Sequence, residues 1–319
     1  MTVSVLGAGA FGTALAIALS RDGTRITLWS RDAGDAARMQ DSRRSGARLP
    51  GHHLPDSLTV TADRTAFDSA IRLVAVPTQV LASFLRDHDF RSGGALIACC
   101  KGIDRVTGLG PVETIRAACP SHVAAILTGP SFAVDMANGL PTAIVLATER
   151  AKESRKLQAQ LTRPALRLYR TTDVRGAELG GALKNVVALA AGIAVGAGLG
   201  DSARASVVAR GFGELARYAA LQGARKGTLH GLSGLGDLVL TCTSEKSRNF
   251  GAGLALGQGQ GIDHDTTVEG LATAPVVAES AAAAGLGLPL MQATADVIEG
   301  RLDIPRAVEA LLSRPVGKE

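Results

Sequence analysis

Val3-Ser4-Val5-Leu6-Gly7-Ala8-Gly9-Ala10-Phe11-Gly12 is the stretch that decides the fold class. Its first four residues read as a short buried strand. The glycines behind them have G-x-G-x-x-G spacing and open an amphipathic helix read from Thr13 to Ser20. In that setting Gly7 permits a tight turn, Gly9 lets backbone approach a pyrophosphate, and Gly12 lets helix pack on strand. A diphosphate would then rest on free N–H groups at the positive end of the helix dipole. The glycine spacing alone is a weak signal. Its position after a strand, and the further strand ending at Trp29, make the dinucleotide reading the stronger one.

Working outward, β-branched runs alternate with helical patterns through the first half. Val3 to Leu6, Arg25 to Trp29, Ile71 to Val76, Ala95 to Cys100, Ala124 to Leu127, Thr142 to Ala147 and Leu166 to Tyr169 are the candidate strands. Several end at breakers such as Gly7, Pro77, Gly102 and Gly129-Pro130, where a parallel sheet presents its ligand crevice. From about Val174 onward Ala-rich helical periodicity dominates. The expected fold is α/β: a Rossmann-type, doubly wound, mostly parallel sheet domain over residues 1–173. An all-helical substrate domain over 174–319 follows it, and the active site is expected between the two.

Composition bounds the partners. The 319 residues are 46% hydrophobic and carry a net charge of +5 without a basic tract. Aromatics, at 3%, are too scarce for stacking on bases, so no nucleic-acid partner is expected and pairs such as Arg43-Arg44 read as solvated surface. Mild positive charge suits a small anionic metabolite. Cys99, Cys100, Cys119 and Cys242 lack metal-ligand spacing, so no metal is expected and they read as reduced, buried thiols. The start of the chain lacks signal-peptide character, and Val186 to Gly200 is shorter than the ~20 residues of a bilayer helix. A cytoplasmic protein without membrane insertion is the expectation.

Three further places carry chemistry. After the second strand, Trp29-Ser30-Arg31-Asp32 puts Arg31 where the acid of an NAD enzyme usually stands; a cation there suits a 2′-phosphate, and NADP is slightly favoured over NAD. Arg31 also reads as a solvated loop residue or a partner of Asp32. Lys184 is a lone cation in the apolar run Gly180 to Gly192, with bare helix surface at Gly180 and Gly181 to leave room for a ligand. Desolvation suits such a lysine to proton donation, although structural lysines snorkel or pair with interior acids. Asn185, about 100° further round the helix, borders the same cleft. Asp237 follows a glycine turn and either orients Lys184 or caps a helix. Ser247-Arg248-Asn249, read as a polar loop, offers hydroxyl, guanidinium and amide donors suited to a phosphate.

In order along the chain, these blocks resemble the bacterial NAD(P)-dependent sn-glycerol-3-phosphate dehydrogenase family. The matching stretches are Gly7 to Ala16, Lys101-Gly102, Gly129 to Ala133, Leu140 to Ala143, Gly180 to Ala191, Gly234 to Thr243, Ser247 to Asn249 and Val268 to Gly270. The resemblance implies Lys184 as the general acid toward the ketone of dihydroxyacetone phosphate. It implies Lys101, Gly129, Ser131, Lys184, Asn185, Asp237, Ser247, Arg248 and Asn249 as substrate-binding. Toward the cofactor it implies Gly7, Gly9, Ala10, Phe11, Gly12, Arg31, Lys101, Ala133, Arg248, Thr267 and Glu269. It also implies a homodimer that supplies phospholipid synthesis.

The chain departs from the family's pattern in four places. Phe11 stands for a common Trp or Tyr, Cys100 for Ser or Thr, and Thr267 for Val; Leu271 to Pro275 lacks the usual Arg and Lys. These bear on cofactor preference and loop closure more than on the reaction. The rival readings are a reductase of the ketopantoate reductase or hydroxyacid dehydrogenase type and a non-catalytic NAD(P)-sensing protein. Arg248 and Asn249 argue against the first, because a carboxylate substrate does not need that phosphate group of donors; Lys184 with Lys101 argues against the second.

Overall fold

The computed structural model describes residues 2–90, 93–262 and 267–313. The chain divides into two compact units, residues 1–101 with 109–178 and residues 102–108 with 179–319.

The first unit holds strands β1 (Val3–Leu6), β2 (Ile26–Trp29), β3 (Leu58–Thr61), β4 (Ile71–Val74), β5 (Ala95–Ala98), β6 (Val123–Thr128), β7 (Thr142–Ala147) and β8 (Leu166–Thr171). They form one sheet in the order β3-β2-β1-β4-β5-β6-β7-β8. Neighbours run parallel except at the β6–β7 step. Helices α1 (Ala10–Ser20), α2 (Ala33–Ser42), α3 (Thr78–Asp87), α4 (Pro111–Ala118), α5 (Ala133–Ala137) and α6 (Ala151–Leu161) accompany it. The chain winds from β1 out to β3 and returns to β1's other side with β4. The crevice between β1 and β4 is thus the switch point at which such sheets bind nucleotides.

Two sequence expectations shift here. The first helix begins at Ala10 rather than Thr13, because Gly9 is its extended N-cap and Gly9 O accepts Thr13 N–H at 2.9 Å. Strand β3 was not expected; it is a four-residue edge strand beyond β2. Arg43, read as solvated surface, turns its guanidinium inward onto the carbonyls of Leu54, Pro55 and Leu58 and so pins the connection from α2 to β3.

The second unit is helical: α7 (Val174–Gly196) runs into it, followed by α8 (Gly200–Leu221), α9 (Lys226–Leu229), α10 (Asp237–Cys242), α11 (Arg248–Gly257), α12 (Glu269–Ala283), α13 (Pro289–Ile298) and α14 (Ile304–Leu312). A π-helical turn, Leu232–Gly236, leads into α10. Leu183, Val186, Val187, Leu215, Leu238, Val277 and Met291 belong to its core. Helix α7 is long and apolar enough to cross a membrane, but 89% of its most apolar window is buried inside the protein. Its apolarity is that of a core helix.

Helices α7 and α11 meet backbone to backbone. A Cβ at Gly192 would strike Phe250 O, one at Gly196 would strike Leu254 O, and one at Gly253 would strike Leu189 O; at Gly257 it would lie 2.5 Å from Ile193 O. Paired positions rise together along both helices, so they run parallel. Each glycine costs about 0.5–1 kcal/mol of helix propensity against alanine, offset here by an approach that no side chain permits.

Candidate active site

The glycine turn after β1 fits a dinucleotide. Gly7 has φ +118°, open only to glycine, and a Cβ there would sit 2.6 Å from Ala75 O. A Cβ at Gly12 would strike Gly7 O, so the third glycine sets the distance of α1 from the strand end. At Gly9 no atom beyond the glycine and its two chain neighbours lies within 4 Å of where a Cβ would be. That space, beside the unsatisfied N–H groups of the first turn of α1, suits a diphosphate. Ala10, Phe11 and Ala133, the last opening α5, border one hydrophobic cluster of this unit. Arg31 is exposed just past β2; its neighbour Asp32 accepts Asp35 N–H at 2.7 Å as the N-cap of α2, so Asp32 is a cap rather than a partner of Arg31.

The same unit brings Lys101, Gly129 and Ser131 together at the ends of β5 and β6. Gly129 O accepts from Lys101 Nζ at 2.8 Å and from Ser131 Oγ at 3.0 Å. Gly129 takes φ +130°, which turns its carbonyl between the two donors.

In the second unit Lys184 is buried, 7% exposed, in the middle of α7. Its Nζ donates to Asp237 Oδ1 at 3.0 Å and to Thr241 Oγ1 at 2.7 Å, and Thr241 Oγ1 lies 3.3 Å from Asp237 Oδ1. Asp237 is not the N-cap of α10; its side chain is the counter-charge of the lysine, and so opposes the desolvation that burial alone imposes. Cys242, next along α10, is also buried, and desolvation pushes its thiol up to about 12, so it stays a neutral thiol beside the pair. The bare surface at Gly180 does not hold a ligand: a Cβ there would lie 2.6 Å from Ser233 O, because the π-helical turn fills it.

Ser247, Arg248 and Asn249 do not form a loop. They open α11, with Ser247 as N-cap: its Oγ accepts Phe250 N–H at 3.2 Å. Arg248 is exposed on the first turn. The main-chain N–H groups of Arg248 and Asn249 precede the first intrahelical bond, Gly251 N–H to Ser247 O, and so add donors and a helix dipole to the guanidinium. Asn249 Nδ2 donates to Asn185 Oδ1 at 3.0 Å, and Asn249 Oδ1 accepts Gly270 N–H at 2.9 Å. The residue after Lys184 is thereby bonded to the residue after Arg248. Half-buried Thr267 precedes α12, whose first residue is the buried Glu269.

Comparison with known proteins shows the family. The family models for the N-terminus and C-terminus of NAD-dependent glycerol-3-phosphate dehydrogenase match residues 2–154 and 173–309. A glycerol-3-phosphate dehydrogenase (NAD(P)+) of Roseobacter denitrificans is 53% identical over the whole of both chains. One of Cereibacter sphaeroides is 52% identical over 99% of this chain and all of its own. This chain belongs to the NAD-dependent glycerol-3-phosphate dehydrogenase family.

A crystal structure of glycerol-3-phosphate dehydrogenase from Coxiella burnetii superposes with a TM-score of 0.89 at 33% identity, covering 98% of this chain and 99% of its own. A ketopantoate reductase from Ralstonia eutropha reaches 0.61 at 13% identity and shares the fold alone. Within this glycerol-3-phosphate dehydrogenase family member, Thr241, which the sequence reading missed, accepts from the Lys184 ammonium beside Asp237. The signal was there: Asp237 and Thr241 stand four apart on one helix, hence on one face.

Proposed function

We propose that this chain reduces dihydroxyacetone phosphate to sn-glycerol 3-phosphate with NAD(P)H, reversibly, and that it does so with the residues described above. The observation that carries the reading is the Asn185–Asn249 bond. It sets a buried, charge-balanced ammonium and a phosphate-suited helix start on adjoining turns of neighbouring helices, as a small phosphorylated ketone requires.

When bound, NAD(P)H supplies the hydride that adds to the central carbonyl carbon. Gly7, Gly9, Ala10, Phe11 and Gly12 hold its diphosphate end, with Ala133, Thr267 and Glu269 as further contacts, and Arg31 favours the 2′-phosphate of NADP. Arg248, with Ser247 and Asn249, receives the substrate phosphate; Lys101, Gly129 and Ser131 form a second polar group toward substrate. Lys184 hands a proton to the ketone oxygen as negative charge develops there, and takes it back in the reverse direction. Asp237 and Thr241 orient the ammonium through two of its three N–H donors and Asp237 balances its charge.

Residues 1–173 then form the dinucleotide-binding domain and 174–319 the domain that carries Lys184 and the phosphate donors, with Lys101, Gly129 and Ser131 contributed to the substrate by the first and Thr267 and Glu269 to the cofactor by the second. The enzyme works in the cytoplasm as a homodimer, and its product is the starting phosphate of glycerophospholipids. The test is oxidation of NADPH and NADH driven by dihydroxyacetone phosphate, with ketopantoate as the rival substrate. Turnover of ketopantoate but not of dihydroxyacetone phosphate overturns the reading, as does cofactor binding without turnover of either.

A further inference from the structure

Gly270 has no part in the roles assigned above, yet three helices meet at it. It is the second residue of α12, and its N–H donates to Asn249 Oδ1 at 2.9 Å. Asn249 donates in turn to Asn185 Oδ1 at 3.0 Å. One carboxamide therefore ties the start of α11 to α7 on one side and to the start of α12 on the other. A Cβ at Gly270 would stand 2.5 Å from Leu189 Cδ1, 2.8 Å from Asn185 O and 2.8 Å from Asn249 Oδ1. The tip of Leu189 can swing aside. Asn185 O cannot, because it is backbone of a helix held by the glycine seam. A methyl group at Gly270 must therefore move the Asn249 carboxamide or shift the first turn of α12.

We infer that Gly270 is a positioning residue for the phosphate end of the substrate. By donating to the Asn249 carboxamide and leaving room for it, Gly270 holds the first turn of α11, and Arg248 with it, in register with α7. The inference rests on the phosphate role proposed for Ser247, Arg248 and Asn249. Asp237 and Thr241, which orient Lys184, stand on α10, so Gly270 acts on the phosphate end and not on the orientation of the ammonium, and NADPH affinity reports any movement of the neighbouring Glu269.

The test compares dihydroxyacetone phosphate with dihydroxyacetone, the same ketone without its phosphate, in wild type and Gly270→Ala, together with melting temperature and NADPH affinity. In Gly270→Ala, kcat/KM for the phosphate ester should fall ~10-fold or more, through KM, while that for dihydroxyacetone holds, since a misplacement of about 1 Å costs that much and more. Should Gly270→Ala fail to fold, Gly270→Ala/Leu189→Val decides: the shorter side chain at 189 relieves the 2.5 Å approach to Leu189 Cδ1 and leaves those to Asn185 O and Asn249 Oδ1, so the same loss of discrimination is expected with NADPH affinity retained. A folded variant that keeps the wild-type ratio between the two ketones, or loses both equally, overturns the inference. A wild type that does not discriminate between them overturns the phosphate reading beneath it.

Discussion

Replacing Lys184 with methionine preserves most of the stem's packing and removes both a proton and a charge. The charge matters to the fold, because Nζ lies 3.0 Å from Asp237 Oδ1 and the two side chains are only 9% and 2% exposed. Stranding that carboxylate should cost about 3 to 5 kcal/mol of stability. The single variant therefore mixes two losses, and a pair of variants separates them. In Lys184→Met/Asp237→Asn the stranded charge is gone, and the amide still offers Thr241 a hydrogen-bond acceptor, so denaturant unfolding should recover most of the lost stability. Turnover should recover nothing: kcat for dihydroxyacetone phosphate should stay ~10²-fold or more below wild type in both variants, the contribution of a positioned general acid. Fluorescence titration should find NADPH affinity unchanged, since the glycine turn is untouched. A folded double variant with near wild-type turnover would refute the assignment of Lys184 as the acid. One as unstable as the single variant would refute the account of the ion pair.

Arg248→Ala should raise KM for dihydroxyacetone phosphate by the loss of a charge-assisted contact of about 1.5 to 3 kcal/mol, with melting unchanged, since the side chain is exposed; an unchanged KM with lowered stability would make it structural. Arg31→Glu should weaken NADPH more than NADH, and equal losses for both would remove Arg31 from cofactor choice. Glu178 is buried against the start of α4, where its Oε1 accepts Val112 N–H at 2.6 Å, and desolvation above all raises its carboxyl to about 7. The folded state thus keeps a proton that the unfolded chain releases above about 4.5, so the stability this group contributes is full below that pH and is lost as pH rises to about 7. Glu178→Gln keeps the acceptor without the titration. Its stability relative to wild type should climb by about 3 kcal/mol across that window, and a difference that does not vary with pH would contradict the burial argument.

The glycine turn and β1 were legible because their chemistry is local: a strand, three glycines at set spacing and a helix leave one economical reading. Strand β3 was not, because Leu58-Thr59-Val60-Thr61 is too short for its alternation to stand out from the polar stretch before it. The start of α11 was misread for a different reason. Gly251, Gly253 and Gly257 lower its helix propensity, and the gain that offsets the last two, contact with α7, belongs to tertiary structure. Lys184 could be singled out as a lone cation in an apolar helix, but Asp237 was evenly poised between cap and counter-ion until the two helices were seen together. Arg43 looked like surface for the same reason, its carbonyl partners lying 11 to 15 residues further on.

The seam between α7 and α11 also sets a phase. At about 100° per residue, Asn185 lies within roughly 20° of Gly192 and Gly196 around α7, while Lys184 lies some 80° or more away from them. One face of the helix is thus committed to α11 and an adjacent face to Asp237, with a whole number of turns between Asn185 and the glycines. Substitutions can tune either face separately, but a single inserted or deleted residue between Lys184 and Gly192 rotates one against the other by about 100°. The helix could then keep its grip on α11 or its ammonium on Asp237, but not both, so this segment should vary in composition among related chains and hardly at all in length.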